Sequence, residues 1–265
     1  MAALLAILAG LLAQEAVSCA DFVDCARAGT ARYRDRGAAI LDGYRRIGGD
    51  FPAMGEHWIR VGLVFDGQFD PARPEVLSYI VVDDEPVLLG VAYALPLLAG
   101  ETPPDGPPGP GAWHDHYRTI EDETFLPAHH MPGMADSPRI AMLHAWIWSE
   151  NPEGTFAADN WAIPYLRLGL EVSEGPFSAA RALSLATGGA EHFRRVVDRA
   201  VELADGQGPG VQAVFDAARE EVGEVLGRNR GPRLREEETA RLSGIWERLW
   251  MDLRALTGNE LPYPQ

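Results

Sequence analysis

Histidine is the residue type of this sequence that is both clustered and chemically versatile. Five of the seven histidines fall between Trp113 and Asn151, and a sixth, His57, lies upstream. The five clustered residues are His114, His116, His129, His130 and His144. Neutral imidazole is a ligand for zinc, copper, iron and nickel. The clustering therefore predicts a transition-metal site, and it leaves open whether the bound ion is catalytic.

His114 and His116 are two residues apart, so on a strand both imidazoles project to the same face and can reach one ion together. His57 and His144 each fall on a separate predicted strand. If antiparallel pairing makes such strands neighbours, it brings their side chains within roughly 5 Å. We therefore predict one metal site formed by His57, His114, His116 and His144, with copper or zinc as its ion.

Each candidate has an alternative without metal. His144 alternates with Met142 and Trp146, and a lone histidine on such a face is commonly a hydrogen-bonded core residue. His129 and His130, with Met134, form a second-choice set whose imidazoles and thioether would suit copper. The alternative for that set is a solvated loop without function.

Two carboxylates adjoin the predicted ligands. Glu56 precedes His57, and Asp115 stands between the paired imidazoles, so either could be a ligand, a general base or a partner that orients a ring. Alternation along a strand predicts that Asp115 points away from the face of its neighbours. His192 stands among polar residues of a predicted helix, and we predict it at the surface.

The charge balance and the motif content exclude several classes of protein. The net charge is -16 and the pI is near 4.8, so the surface repels nucleic-acid phosphates and anionic lipids. The chain contains no lysine, which excludes Schiff-base chemistry, a lysine base and a phosphate-loop lysine. The motifs G-x-S-x-G, H-E-x-x-H, C-x-x-C and a G-x-G-x-x-G after a strand are also absent.

The N-terminal residues predict export. Residues 2–13 form an apolar run of secretory length, too short to span a bilayer, and small residues follow it, so we predict a signal peptide over residues 1–18; the alternative is a buried helix. Cleavage there would leave Cys19 at the N-terminus, as in bacterial lipoproteins. Cys19 could thus carry a lipid anchor, pair with Cys25, or remain an inert thiol like Cys25.

Apolar periodicity divides the remaining chain into a strand-rich part and a helical part. Helical spacing predicts one long helix over residues 21–47, ended by Gly48-Gly49. Alternating or continuous apolar runs predict strands at 57–65, 76–82, 87–95, 113–119 and 140–148, and helical spacing predicts helices at 178–187, 191–204, 211–226 and 242–256. The predicted fold is α+β, a small antiparallel sheet packed on the N-terminal helix and followed by a C-terminal helical segment. The predicted units are a domain at 19–160 and a helical segment or small domain at 161–265.

Five short motifs follow one another between residues 50 and 160. They are Met54-Gly55-Glu56-His57-Trp58, Arg73-Pro74-Glu75, Gly90-Val91-Ala92-Tyr93, Leu143-His144-Ala145-Trp146 and Asn151-Pro152-Glu153-Gly154-Thr155-Phe156. In their order they resemble a family of secreted bacterial proteins of unassigned function. The resemblance implies that His57 and His144 belong to one shared site, and it brings no known activity.

The leading hypothesis is an exported protein, soluble or lipid-anchored, that binds a single transition-metal ion through histidines. A rival is a metal-free ligand-binding or protein-interaction module of the cell envelope. In that rival an apolar cleft is lined by Trp113, Tyr117, Trp146, Trp148 and Trp161. A third hypothesis is a structural envelope protein whose helical segment docks an unknown protein partner.

Overall fold

The computed structural model describes residues 21–104, 109, 112–115, 138–173, 177–188 and 190–262. Within these residues the fold is α+β, as the sequence predicted. Short helices at the start of the chain precede a six-stranded antiparallel sheet, and a group of helices follows the sheet. No helix among the described residues combines the length and the apolar character needed to cross a membrane.

The N-terminal helical region is shorter than predicted. It consists of α1 (Phe22–Thr30), a 3-10 turn (Ala31–Arg34) and α2 (Arg36–Leu41). The carboxylate of Asp35 accepts a hydrogen bond from the backbone of Gly37 at 2.8 Å and starts α2 as a new helix. The prediction of one helix through residue 47 is therefore wrong, because a capping residue interrupts the apolar periodicity.

The first strand, β1 (Arg45–Phe51), lies where the sequence predicted the end of that helix. It pairs with β2 (Gly55–Ile59), and the pairing jumps from Ile47 opposite His57 to Asp50 opposite Glu56. Gly48-Gly49 therefore forms a bulge in the strand and does not end a helix. After β2 the chain enters a short helix, α3 (Val61–Val64), so the predicted strand at 57–65 is wrong beyond Ile59.

The other four strands fall where the sequence predicted strands. They are β3 (Val76–Val82), β4 (Glu85–Leu97), β5 (His114–Asp115) and β6 (Arg139–Ala145). The spatial order is β1-β2-β3-β4-β6-β5. The sequence-distant strands β2 and β6 therefore have β3 and β4 between them.

The two faces of this sheet differ in composition. The tyrosine face, which packs against Phe22 and Ala26 of α1, is large and apolar. Its central strand residues are Leu77, Tyr79, Val91, Tyr93 and Leu143. The opposite face, called the histidine face below, carries His57, Ser78, Ala92 and His144.

The C-terminal helices build a core of their own. Helical spacing predicted four of these helices and did not predict a short fifth, α4. Their bounds are α4 (Ile163–Arg167), α5 (Phe177–Ser184), α6 (Ala190–Leu203), α7 (Gly208–Arg228) and α8 (Glu236–Leu256). Residues such as Phe215, Trp246 and Trp250 are buried among these helices. Ile163 of α4 instead packs with Ile80 and Trp146 on the histidine face.

Cys25 on α1 is disulfide-bonded, and there is no free thiol among the described residues. The only other cysteine of the sequence, Cys19, lies outside the described residues.

Candidate functional site

Three of the predicted ligands lie on one face of the sheet. His57 on β2 is opposite Ser78, His144 on β6 is opposite Ala92, and His114 on β5 is opposite Met142. Because Ser78, Ala92 and Met142 all belong to the histidine face, so do the three imidazoles. All three residues are buried or partly buried.

The three rings form a row with His144 in the middle. The ring centroids of His57 and His144 are 5.6 Å apart with nearly parallel planes, at 24°. Those of His114 and His144 are 5.2 Å apart at 73°. Two imidazoles bound to one tetrahedral ion at about 2.0–2.1 Å would have ring centroids about 5 Å apart, so each neighbouring pair has a spacing that suits shared ligation.

Small residues on the intervening strands make this approach possible. Three strand spacings of about 4.8 Å place the backbones of β2 and β6 about 14 Å apart. Between them the histidine face presents Ser78 on β3 and Ala92 on β4, which leave room above the sheet for two imidazoles to lean toward each other. The prediction that neighbouring strands supply the histidines is therefore wrong for His57 and His144, although their rings do meet. It is confirmed for His114 and His144, which lie on the paired strands β5 and β6.

Gly90 lets β4 lie tightly against the chain that leaves β6. A Cβ at this position would be 2.7 Å from the carbonyl oxygen of Ala145 and 3.1 Å from the indole ring of Trp146. Close packing of β4 against the residues that follow His144 therefore requires glycine at this position of the G-V-x-Y motif.

The loop after β6 holds the side chains of His144 and Trp146. Nδ1 of His144 donates to the carbonyl oxygen of Ala158 at 2.5 Å, and Nε1 of Trp146 donates to that of Ala157 at 2.8 Å. Because a carbonyl only accepts, the proton of a neutral His144 ring lies on Nδ1 and the lone pair lies on Nε2. A backbone carbonyl that orients an imidazole in this way is the usual outer partner of a metal-bound histidine.

The N-P-x-G-x-F motif shapes this loop. The side-chain amide of Asn151 donates to the carbonyl oxygen of Asp159 at 2.7 Å, which closes the loop on itself. The backbone amide of Asn160 donates to the carbonyl oxygen of Ala53 at 2.8 Å, which ties the loop to the β1–β2 connection. A backbone hydrogen bond thus joins the loop after β6 to the residue that precedes the motif containing His57.

The same loop carries two carboxyl groups whose affinity for protons is increased. The pKa of Asp159 is raised to about 6, mainly by burial and in addition by the Glu153 carboxylate, while Arg181 opposes the shift. Burial also raises the pKa of Glu153. Asp159 was not singled out from the sequence, because an acidic residue in a polar loop gives no signal of its burial.

Glu56 and Asp115 are not brought to the imidazoles. Glu56 lies on the tyrosine face, where its carboxylate binds Arg46 at 2.9 Å and accepts from the indole nitrogen of Trp58 at 3.0 Å. Asp115 points away from the histidine face, as predicted from alternation, and binds Arg139 at 2.6 Å. The hypothesis that either carboxylate is a ligand is therefore not supported by the geometry.

Several predicted residues lie outside the described part of the chain. They are His116, Tyr117, His129, His130 and Met134. Within the described residues, no group of three or more histidine, cysteine, aspartate or glutamate side chains converges tightly enough to hold a metal ion. The row of three imidazoles thus offers well-spaced pairs rather than a preformed three-ligand site.

His192 is a histidine near the site that the sequence reasoning missed. It lies on α6, its ring is 6.3 Å from that of Phe51 between centroids, and its Nδ1 atom is buried. The pKa of His192 is lowered to about 4, mainly by burial and in addition by Arg195, so the ring is neutral at neutral pH. The prediction that His192 is at the surface is wrong. Its spacing of four residues from the buried Val196 was the signal that could have found it.

Among the described residues, the four tryptophans of the rival hypothesis do not belong to one apolar cluster. Trp113 and Trp148 pack with the tyrosine face, Trp146 packs on the histidine face, and Trp161 packs against the helical core. Four of the five proposed lining residues therefore belong to three separate clusters. A groove of about 220 Å³ does lie between α7 and α8, lined by Val214, Leu249 and the Glu221–Arg248 ion pair among others, away from the histidines.

Comparisons of the chain with protein-family models, with curated proteins and with solved structures find no match. Arguments about function therefore rest on the geometry of the chain itself.

Proposed function

We propose that this chain is an exported protein that binds a single transition-metal ion, zinc or copper, through its histidine face. His144 is the central ligand in this proposal, His57 and His114 flank it, and His116 is a fourth ligand predicted from the sequence. The observation that carries the proposal is the approach of His57 to His144, at 5.6 Å between ring centroids, across two intervening strands.

The orientation of His144 supports the same conclusion. Its Nδ1 proton is bound to the Ala158 carbonyl, so Nε2 is the nitrogen that would bind the ion. In this proposal the rings of His57 and His114 turn about their side-chain bonds toward the ion, and the centroid spacing of each ring from that of His144 suits shared ligation. Three ligands with an open position would allow activation of water or oxygen, whereas four would favour binding or storage.

Two features support export. The apolar run at residues 2–13 has the length of a secretory core, and Cys25 is disulfide-bonded. Disulfides persist in oxidising compartments outside the cytoplasm. A lipid anchor at Cys19 is not part of this proposal, because lipidation of that thiol would leave Cys25 without a second cysteine in the sequence with which to pair.

Metal analysis tests the proposal. The protein is purified without a polyhistidine tag, reconstituted separately with Zn²⁺ and Cu²⁺, freed of excess ion and analysed by mass spectrometry for bound metal. We expect one equivalent for the wild type and a loss of at least tenfold in affinity for His57→Ala and for His144→Ala, since each removes a ligand.

A matched control comes from the second-choice histidines. The double variant His129→Ala/His130→Ala removes two imidazoles from the same chain and should keep one equivalent of metal if the histidine face is the site. Loss of binding in that variant, with binding retained in His144→Ala, would assign the metal site to His129 and His130. Less than about a tenth of an equivalent in the reconstituted wild type would overturn the metal proposal altogether.

A further inference from the structure

The ring of Phe51 lies between the histidine face and the helical segment. Its centroid is 6.0 Å from that of His57 on one side and 6.3 Å from that of His192 on the other. Because the His57 ring contacts both Phe51 and His144, any displacement of Phe51 changes the space in which the His57 ring can turn.

The helical segment is anchored next to Phe51 by an ion pair. Arg167 of α4 donates two parallel hydrogen bonds, at 2.7 and 2.5 Å, to the carboxylate of Asp50, the residue before Phe51. The arginine side chain is almost completely buried, and bidentate geometry of this kind fixes orientation as well as distance. The Asp50–Arg167 ion pair thus ties β1, the strand that carries Phe51, to α4.

The turn that leads into α6 lies on this ion pair. A Cβ at Gly188 would overlap both the guanidinium group of Arg167 and the carboxylate of Asp50. The absence of a side chain at Gly188 therefore allows the start of α6 to approach β1, and His192 follows within one turn of the helix start at Ala190.

His192 contributes a neutral ring to this contact. Its Nδ1 atom is buried, and no hydrogen-bond partner for it lies in the described part of the chain. The ring meets Phe51 edge to face at 69°, the favoured arrangement of aromatic neighbours.

From these contacts we infer that Phe51 is a positioning residue through which the helical segment sets the metal affinity of the histidine face. Docking of α6 on β1 holds Phe51 against His57, and Phe51 limits the rotation of the His57 ring toward the ion. Metal binding and helix docking are then coupled, and each strengthens the other by the same factor. This inference rests on the proposed function, since it concerns the same site.

Zinc and cobalt titrations of Phe51 and His192 variants test the coupling. Phe51→Leu and His192→Leu should each weaken Zn²⁺ binding by about 5-fold or more, the lower end of typical coupling between sites. Phe51→Tyr keeps the ring and should restore most of the affinity. Val196→Ala is the matched control, because it removes buried volume from the same helix without touching Phe51 and should leave the affinity unchanged.

The Co²⁺ absorption spectrum separates positioning from ligation. Phe51→Leu and His192→Leu should weaken Co²⁺ binding while they retain the spectrum of the wild type, since no ligand is lost. A changed coordination spectrum in His192→Leu would make His192 a ligand and would overturn the positioning role.

Hydrogen exchange measures the reciprocal effect. Zn²⁺ should slow exchange of the α6 amides in the wild type and should have a much smaller effect in Phe51→Leu. If the wild type binds one equivalent of zinc but the variants bind equally well and α6 exchange is unchanged, the coupling is wrong and the metal site stands. If the wild type binds neither zinc nor copper, the proposed function fails and the coupling fails with it; if it binds copper alone, the same variants are titrated with Cu²⁺.

Discussion

The two faces of the sheet are made from the same strands, yet they have opposite chemistry. On the tyrosine face, large side chains such as Tyr79 and Tyr93 are completely buried against the N-terminal helix. On the histidine face, the corresponding positions of β3 and β4 carry small residues, Ser78 and Ala92, and the long polar side chains come from β2 and β6.

This difference separates stability from function within one layer of the fold. Large residues that interlock on one face supply the apolar burial that holds the strands together. Small residues on the other face leave room that imidazoles from both sides can enter. The following substitutions test this division, from the largest expected effect on stability to the smallest.

Neighbouring residues on β6 should have opposite effects. Leu143 is completely buried on the tyrosine face, so Leu143→Ala should lower the free energy of unfolding by about 2–5 kcal/mol, measured by urea denaturation, and should leave metal stoichiometry at one. His144→Ala should weaken metal binding at least tenfold. If Leu143→Ala also abolished binding in protein that is still folded, the division between the faces would be refuted.

Glu75, which directly precedes β3, is a buried carboxyl group that should make stability depend on pH. Glu75 is buried and accepts a hydrogen bond from the amide of Ala94 at 3.1 Å; burial raises its pKa from 4.5 to about 7. Between these values the folded chain holds a proton that the unfolded chain has lost. Stability should therefore fall as pH rises from 4.5 to 7, by about 3 kcal/mol at most.

Glu75→Gln should remove this dependence and be relatively more stable above pH 7. Denaturation of both proteins at several pH values measures the effect. A parallel decline of stability in wild type and variant would assign the pH dependence to other groups.

Filling the space beneath the imidazoles should impair the histidine face selectively. Ala92→Leu adds volume opposite His144 and should cost about 1–3 kcal/mol of stability while it weakens metal binding at least tenfold. Ala141→Leu makes the same change on the tyrosine face, where Ala141 is equally buried, and should cost similar stability with little change in affinity. Equal losses of affinity in the two variants would contradict the proposed role of the small residues.

The smallest effect is expected at the loop that holds His144. Trp146→Phe keeps an aromatic ring and removes the hydrogen bond to Ala157, so it should cost about 1 kcal/mol. Thermal denaturation and a zinc titration of the variant measure both consequences. Because the bond from His144 to Ala158 is retained, we expect less than a fivefold change in affinity; a larger change would show that Trp146 also positions the site.

Local patterns predicted much of the fold. The runs at 76–82 and 87–95 became β3 and β4, and the helical spacings at 211–226 and 242–256 became α7 and α8. These elements bury one regular set of residues, so their periodicity is visible in the sequence. The strand β1 was missed because its residues Arg45, Arg46 and Ile47 are exposed at the sheet edge and show no alternation.

The sequence by itself determined which chemistry this protein has available. It has clustered histidines and contains no lysine, no G-x-S-x-G motif and no C-x-x-C motif, and alternation set the faces on which His114 and Asp115 lie. Only the tertiary structure decided which histidines meet. Strand order placed β3 and β4 between His57 and His144, small side chains let the two rings approach, and helix docking brought His192 to Phe51. Such contacts join residues far apart in the chain, and no local periodicity records them.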